Sequence, residues 1–353
     1  MLTKILSGDR PGKPLLSLII IGIVLCLAFA PFLFPGTRAL DTAARICIII
    51  ALVASYDLLL GYTGIVSFAH TMFFGLGAYG VAIASSNMGA GWDAIGLGAL
   101  CGVGLAMALA FVIALASLRV RAIFFAMITL AVASVFGILV SQLYTLTGGE
   151  DGLSYKVPKI LTPAFKLADF RILDVRLDGK LLAYYLVFVG AVLLFLVLLR
   201  VVNSPFGRVL QAIRENDFRA EALGYKTVFY RTIATCISAA VAALAGVLFA
   251  IWLRYTGPDT VLSLDLMINI LVMLVIGGMG TMWGAVLGAT IFVLAQNYLR
   301  EVMGAASHLT ANIPFVTDLL HPDRWLFWLG LLFIISVYTF PTGIVGRFRG
   351  TEE

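Results

Sequence analysis

Long runs without charge constrain this chain before anything else. Leu15 to Gly36, Ala94 to Leu118, Ala122 to Gly149, Leu181 to Leu199, Thr232 to Leu253 and Trp325 to Val345 hold no Asp, Glu, Lys or Arg. A helix needs about 20 mostly apolar residues to cross the hydrocarbon core, because lipid offers no partner to an unpaired backbone N–H or C=O. Each run suffices for one span. The overall balance agrees, with 61% hydrophobic residues, 12% charged residues and a mean hydropathy of +1.04, far from soluble usage. A transmembrane barrel requires alternation, and these runs do not alternate. The fold class read from sequence is therefore all-α and polytopic.

A further span begins at Asp41 and runs to Leu60, with Arg45 and Asp57 near its ends, where charges can snorkel or pair. Two windows, Leu58 to Trp92 and Leu266 to Leu299, also lack charge but carry glycine-rich breaks, GYTGIVS (Gly61 to Ser67) and GGMGTMWG (Gly277 to Gly284). At a rise of about 1.5 Å per residue such a window is too short for two perpendicular spans and a turn, so the helices beside each break must be short, re-entrant or extended into charged flanks. About ten spans result, within a permease domain covering 14–347. Paired breaks mark conduction paths in some transporters, and Gly61, Gly64, Ser67, Gly277, Gly278, Gly280 and Gly284 are the path candidates on that analogy. Close helix packing is the competing reading, since Gly280, Gly284 and Gly288 recur at every fourth position.

Basic residues set the expected orientation. With the N-terminal segment 1–13 inside, the cytoplasmic side receives Lys4, Arg10 and Lys13, then Arg119 and Arg121, then Arg200, Arg208, Arg214, Arg219, Lys226 and Arg231, and last Arg347 and Arg349 ahead of the tail 348–353. The loop 145–180 falls outside; its six Lys and Arg are nearly matched by five acids. The N terminus resembles a secretory signal as far as Ala28-Phe29-Ala30, but Pro31 follows directly, which disfavours cleavage, so the run reads as an uncleaved first span. Cys26, Cys47, Cys101 and Cys236 fall inside apolar helices as small hydrophobes, and His70 reads as a packing residue.

The loop 202–231 is the polar exception. Ser204-Pro205 can cap and start a helix; Phe206, Val209, Leu210, Ile213, Ala220 and Leu223 recur at helical spacing, and Gly224 can stop it. An amphipathic helix on the cytoplasmic face is expected, with a helix on the bilayer surface and a solvated linker as alternatives. The chain carries no phosphate loop, no HExxH, no GxSxG and no paired intramembrane carboxylates. It reads as a non-enzyme that binds no cofactor.

Three stretches then carry a resemblance. GRVLQAIRENDFRAEALG resembles the EAA-type coupling loop of ABC importer permeases, in particular the branched-chain amino-acid permeases of the LivM type. GYTGIVSFAHTMFFGLGAYG and GGMGTMWGAVLGA resemble two further signatures of that family. The similarity covers roughly Thr42 to Arg347, although the glycine after Glu221-Ala222 comes early and no later proline closes the motif. The resemblance implies an inner-membrane permease subunit with a sister permease, two cytoplasmic ATPases that use ATP and Mg, and an extracytoplasmic substrate-binding protein. Membrane lipid is the remaining partner, and nucleic acid is not one. Gly207, Arg208, Ala212, Arg214, Glu215, Glu221 and Gly224 are the expected coupling residues. Substrates implied are branched-chain amino acids or a related small polar or carboxylate solute, with an ion-coupled secondary transporter of small organic solutes as the alternative.

Overall fold

The computed structural model describes residues 14–34, 36–117, 122–163, 165–172, 175–309, 321–339 and 343–349. The expected N-terminal segment 1–13, Arg119, Arg121 and the last four residues of the tail lie outside them. The apolar runs become helices: α1 (Pro14–Ala28), α2 (Thr37–Thr63), α3 (His70–Met88), α4 (Trp92–Ser117), α5 (Ala122–Gln142) and α6 (Gly179–Val202) precede the polar loop. The loop holds α7 (Pro205–Glu215) and α8 (Asp217–Ala222); α9 (Thr227–Leu253), α10 (Leu264–Gly277), α11 (Met282–Leu309), α12 (Trp325–Thr339) and α13 (Gly343–Arg349) follow. Among the described residues seven helices are long and apolar enough to cross a membrane. The shorter α1, α3 and α12 stand where three further spans are expected from sequence.

Both charge-free windows do break at glycine. The first divides into α2 and α3, joined by 64–69; the second divides into a 14-residue α10 and a 28-residue α11. α11 gains its length by running past Arg300 and Glu301 into the charged flank, one of the ways such a window can hold two helices.

α2 is the axis of the molecule. Its central window is 89% buried, against 17% for α5, and α6, α7, α9, α10 and α11 pack around it. The reason is in its sequence: small residues from Ala43 to Ala54 let neighbours close in, and Tyr56, Leu58, Leu59 and Tyr62 fill the gaps that remain. α3 and α9 pack on one another and on α4, with Gly77 against the Ala243 carbonyl and Gly246 against that of Phe74. α4 and α5 turn Leu100, Phe111, Val112, Ile123, Met127 and Val135 outward, the surface of helices whose solvent is lipid.

The loop 145–180 carries strand structure that hydropathy does not announce. β1 (Leu153–Ser154) pairs antiparallel with β4 (Tyr255–Thr256), and β2 (Lys166–Ile172) with β3 (Val175–Asp178). Tyr155 fastens the first pair by donating to the Ala250 carbonyl at 2.9 Å. The helices alternate in direction, so α2 starts at the end of the bundle bearing this loop and finishes at the end bearing α7 and α8.

Candidate functional site

The polar loop folds as two helices where one is expected. α7 starts as its sequence dictates: Ser204 accepts from the Gly207 N–H at 3.4 Å, and Pro205 takes the first turn. It ends at Asn216, whose backbone is extended (φ −156°, ψ 97°) and whose side chain accepts from the Arg219 N–H at 2.9 Å. An asparagine able to cap a new helix competes with continuation of the old one. α8 closes on Gly224, at φ +91°. The Gly224 N–H reaches the Glu221 carbonyl at 2.9 Å and the Tyr225 N–H that of Ala220 at 3.1 Å, the paired bonds of a Schellman cap.

The buried stripe of α7 is Gly207, Leu210 and Ile213. Gly207 is needed for approach, since a Cβ there would overlap the Val202 carbonyl. Arg208, Ala212 and Glu215 face outward. Glu221 accepts from Thr227 Oγ1 at 2.7 Å, and Asp217 pairs with Arg231 at 2.8 Å, so α8 is tied to the first turns of α9. Two large apolar side chains on the same surface are left uncovered: Phe218 is 84% and Leu223 74% exposed. Leu223 was expected on the buried stripe; beyond the break at Asn216 the helical phase no longer carries it there.

Arg214 is exposed like Arg208 and Glu215, but it also makes a contact inward that its expected role does not include. Its guanidinium donates to the Gly61 carbonyl in the last turn of α2. Its stem lies over Gly64, where an added Cβ would meet Cγ at 3.2 Å, and the guanidinium lies over Gly280, where a Cβ would meet Nη1 at 2.7 Å. Gly64 and Gly280 both hold left-handed φ, +72° and +79°, which glycine adopts without steric cost. The Gly280 N–H donates in turn to Asp57 Oδ1 at 2.8 Å. Asp57, expected near the end of its span where a charge can snorkel or pair, is fully buried and takes the second course; it is set where the first N–H groups before α11 favour a carboxylate.

Arg214 thus brings Gly61 and Gly64 of one glycine break together with Gly280 of the other. Gly277, Gly278 and Gly284 serve the second break differently. A Cβ on Gly277 would overlap the Gly284 carbonyl, and one on Gly284 would lie 2.6 Å from that of Gly278, so these positions let α10 and α11 meet backbone to backbone. Gly288 does the same against Met273, while Gly280 belongs to the turn and not to that packed row. Gly343, at the start of α13, presses on Gly278, a contact without any signal in the sequence. Ser67 is buried in the first break and accepts from the Ala69 N–H at 3.4 Å. His70 is packed against Tyr56 and bonded through Nε2 to Ser55 Oγ at 2.8 Å. None of the seven path candidates lines the large cavity at the opposite end of the bundle.

A charge-assisted hydrogen bond thus ties α7 to the end of the most buried helix, and the same guanidinium lies against the α10–α11 turn.

The family described as branched-chain amino acid transport system / permease component matches residues 38–337. A high-affinity branched-chain amino acid transport system permease protein LivM of Escherichia coli (strain K12) is 27% identical over 293 residues, covering 79% of this chain and 67% of that protein. The probable branched-chain amino acid transport permease protein LivM of Methanocaldococcus jannaschii is 27% identical over 287 residues, with 78% of each chain covered. No solved structure matches.

Proposed function

The chain belongs to the family of branched-chain amino acid transport system permease components, and from that membership we propose that it is one permease subunit of an ATP-driven importer of branched-chain amino acids. Its multi-pass place in the inner membrane follows from the family and from the seven membrane-length helices. In this reading a sister permease completes the transmembrane pair. Two cytoplasmic ATPases, using ATP and Mg, dock on the 202–231 loop, and an extracytoplasmic binding protein delivers substrate to the opposite end. Both termini are then cytoplasmic, and so is the junction at Arg214.

The observation that carries the proposal is the Arg214 contact. ATP shifts only an equilibrium between states it binds unequally, so a motor outside the membrane needs a rigid attachment to the spans it moves. α7 and α8 are fastened at Arg214, Glu221 and Asp217, while Phe218 and Leu223 stay exposed for a partner to cover. Closure of the ATPases would pull α7, and with it Gly61 and the turn at Gly280, so the two glycine breaks act as the moving elements at the inner mouth of the path.

The test is leucine uptake into vesicles driven by internal ATP or by an imposed ion gradient. ATP-driven uptake is expected. In an Arg214→Glu variant, uptake should fall at least tenfold while subunit assembly and membrane insertion stay as in the parent. Uptake that follows the ion gradient alone, without ATP, would replace the importer reading with an ion-coupled carrier.

A further inference from the structure

At the end of the bundle opposite α7, the helices α2, α6, α9, α10 and α11 enclose a cavity of about 870 Å³, in the size range of small-molecule sites. Its wall changes character with depth on α2, α9, α10 and α11, while α6 contributes Lys180 alone. Along α2, Asp41 and Arg45 give way one turn deeper to Ile48 and Ile49; along α10, Asp265 and Asn269 give way to Met273. α9 and α11 run the other way and show the reverse order, Phe249 before Arg254 and Val293 before Gln296. The cavity therefore has a polar, charged mouth and an apolar floor.

Half of the charged groups at the mouth are already engaged. Lys180 pairs with Asp41 at 3.0 Å and lies 5.6 Å from the centre of the Trp252 ring. Arg254 donates to the Leu161 carbonyl at 2.9 Å. Arg45 remains as a cation with no carboxylate of the described residues in salt-bridge range, and Asp259 and Asp265 remain as carboxylates without an ion pair. Arg45, Asp259 and Asp265 are all exposed at this open mouth, so each charge is accessible to a solute that enters it. A simple anion would meet two carboxylates there, and a simple cation would meet Arg45. A zwitterion suits both.

We propose that this cavity is a substrate site within the permease for a zwitterionic α-amino acid with an aliphatic side chain. Arg45 takes the carboxylate, Asp265 with Asp259 takes the ammonium, and Ile48, Ile49, Phe249, Met273 and Val293 receive the side chain. The proposal deepens the importer reading by naming a stage of the path. It places that stage away from the glycine breaks, which then govern exit.

The zwitterionic headgroup of phosphatidylethanolamine shares this chemistry, and the test separates the two sources. Asn269→Cys, and independently Gln296→Cys, are placed in a chain without its four native cysteines, assembled in the full complex in nanodiscs and labelled with a membrane-impermeant thiosulfonate. Leucine at millimolar concentration should slow labelling at least fivefold. 4-Methylpentanoate, which lacks the ammonium, and isoamylamine, which lacks the carboxylate, should not, and Arg45→Gln or Asp265→Asn should remove the leucine effect. Equal labelling with and without leucine at both positions would overturn the site. Protection by glycerophosphoethanolamine but not by leucine would assign the cavity to lipid and overturn it as well. ATP-driven leucine uptake by the parent complex reports separately on the importer reading, so a failure of one is not mistaken for a failure of the other.

Discussion

Gly61 is the residue on which the site turns, because it offers two things a larger residue cannot offer together. Its carbonyl receives Arg214, and its bare Cα lets the Gly280 backbone and the Asp57 carboxylate come close; an added Cβ would overlap both. Overpacking of this kind costs about 1–3 kcal/mol and here would also part the two breaks. Gly61→Val is expected to abolish uptake, with a lowered melting temperature for the complex. Gly104→Val is the matched control, since nothing lies within 4 Å of a Cβ there, and it should transport as the parent does. Equal loss in both variants would remove Gly61 from the junction. The glycines of this chain look alike in sequence; what separates Gly61 from Gly104 is whether another backbone stands against it.

The elements that matter most are α7 and α8, and here a local pattern was only partly legible. Ser204, Pro205 and Gly224 announce a start and a stop through capping chemistry that depends on adjacent residues alone. The break at Asn216 follows from the same chemistry, yet its choice between continuing one helix and capping another rests on how Leu210, Ile213 and Ala220 bury. The consequence is the exposed pair Phe218 and Leu223. Burying a Phe or Leu side chain stabilises an interface by about 1.5–3 kcal/mol. Replacing Phe218 by Asp is therefore expected to weaken ATPase co-purification about tenfold or more while α7 and α8 stay folded. Full retention of the ATPases by the Phe218→Asp complex would move the docking surface elsewhere. Arg208 and Glu215, outward as expected, remain candidates for the polar rim of that surface.

At the scale of the molecule, the two ends of the bundle carry different features. The Arg214 contact lies at one end; the charged mouth of the cavity, β1 with β4 and the β2–β3 hairpin form the other. Lys156 and Lys159 are exposed at that second end, and Lys166 stands on β2. Charge complementarity raises the rate of encounter more than the final affinity. The triple change of Lys156, Lys159 and Lys166 to Glu should thus slow uptake severalfold at low concentrations of binding protein and much less at saturation. A uniform loss at all concentrations would argue against docking there.

Hydropathy by itself determined that this chain is helical and lives in a membrane, because a backbone in lipid has so few ways to satisfy its hydrogen bonds. The glycine-rich segments marked both breaks, and the helices end there at Gly64 and Gly278, each with positive φ. What those breaks do was decided only by the tertiary structure. Arg214 and Gly61 stand 153 positions apart, and Asp57 and Gly280 are separated by 223, so no local pattern could pair them. The same holds for Arg45 and Asp265, which become one cavity wall only when α2 packs beside α10. Solvent preference acts on each segment separately and can be read from it. Contact between segments depends on how their surfaces fit, and that is a property of the folded chain.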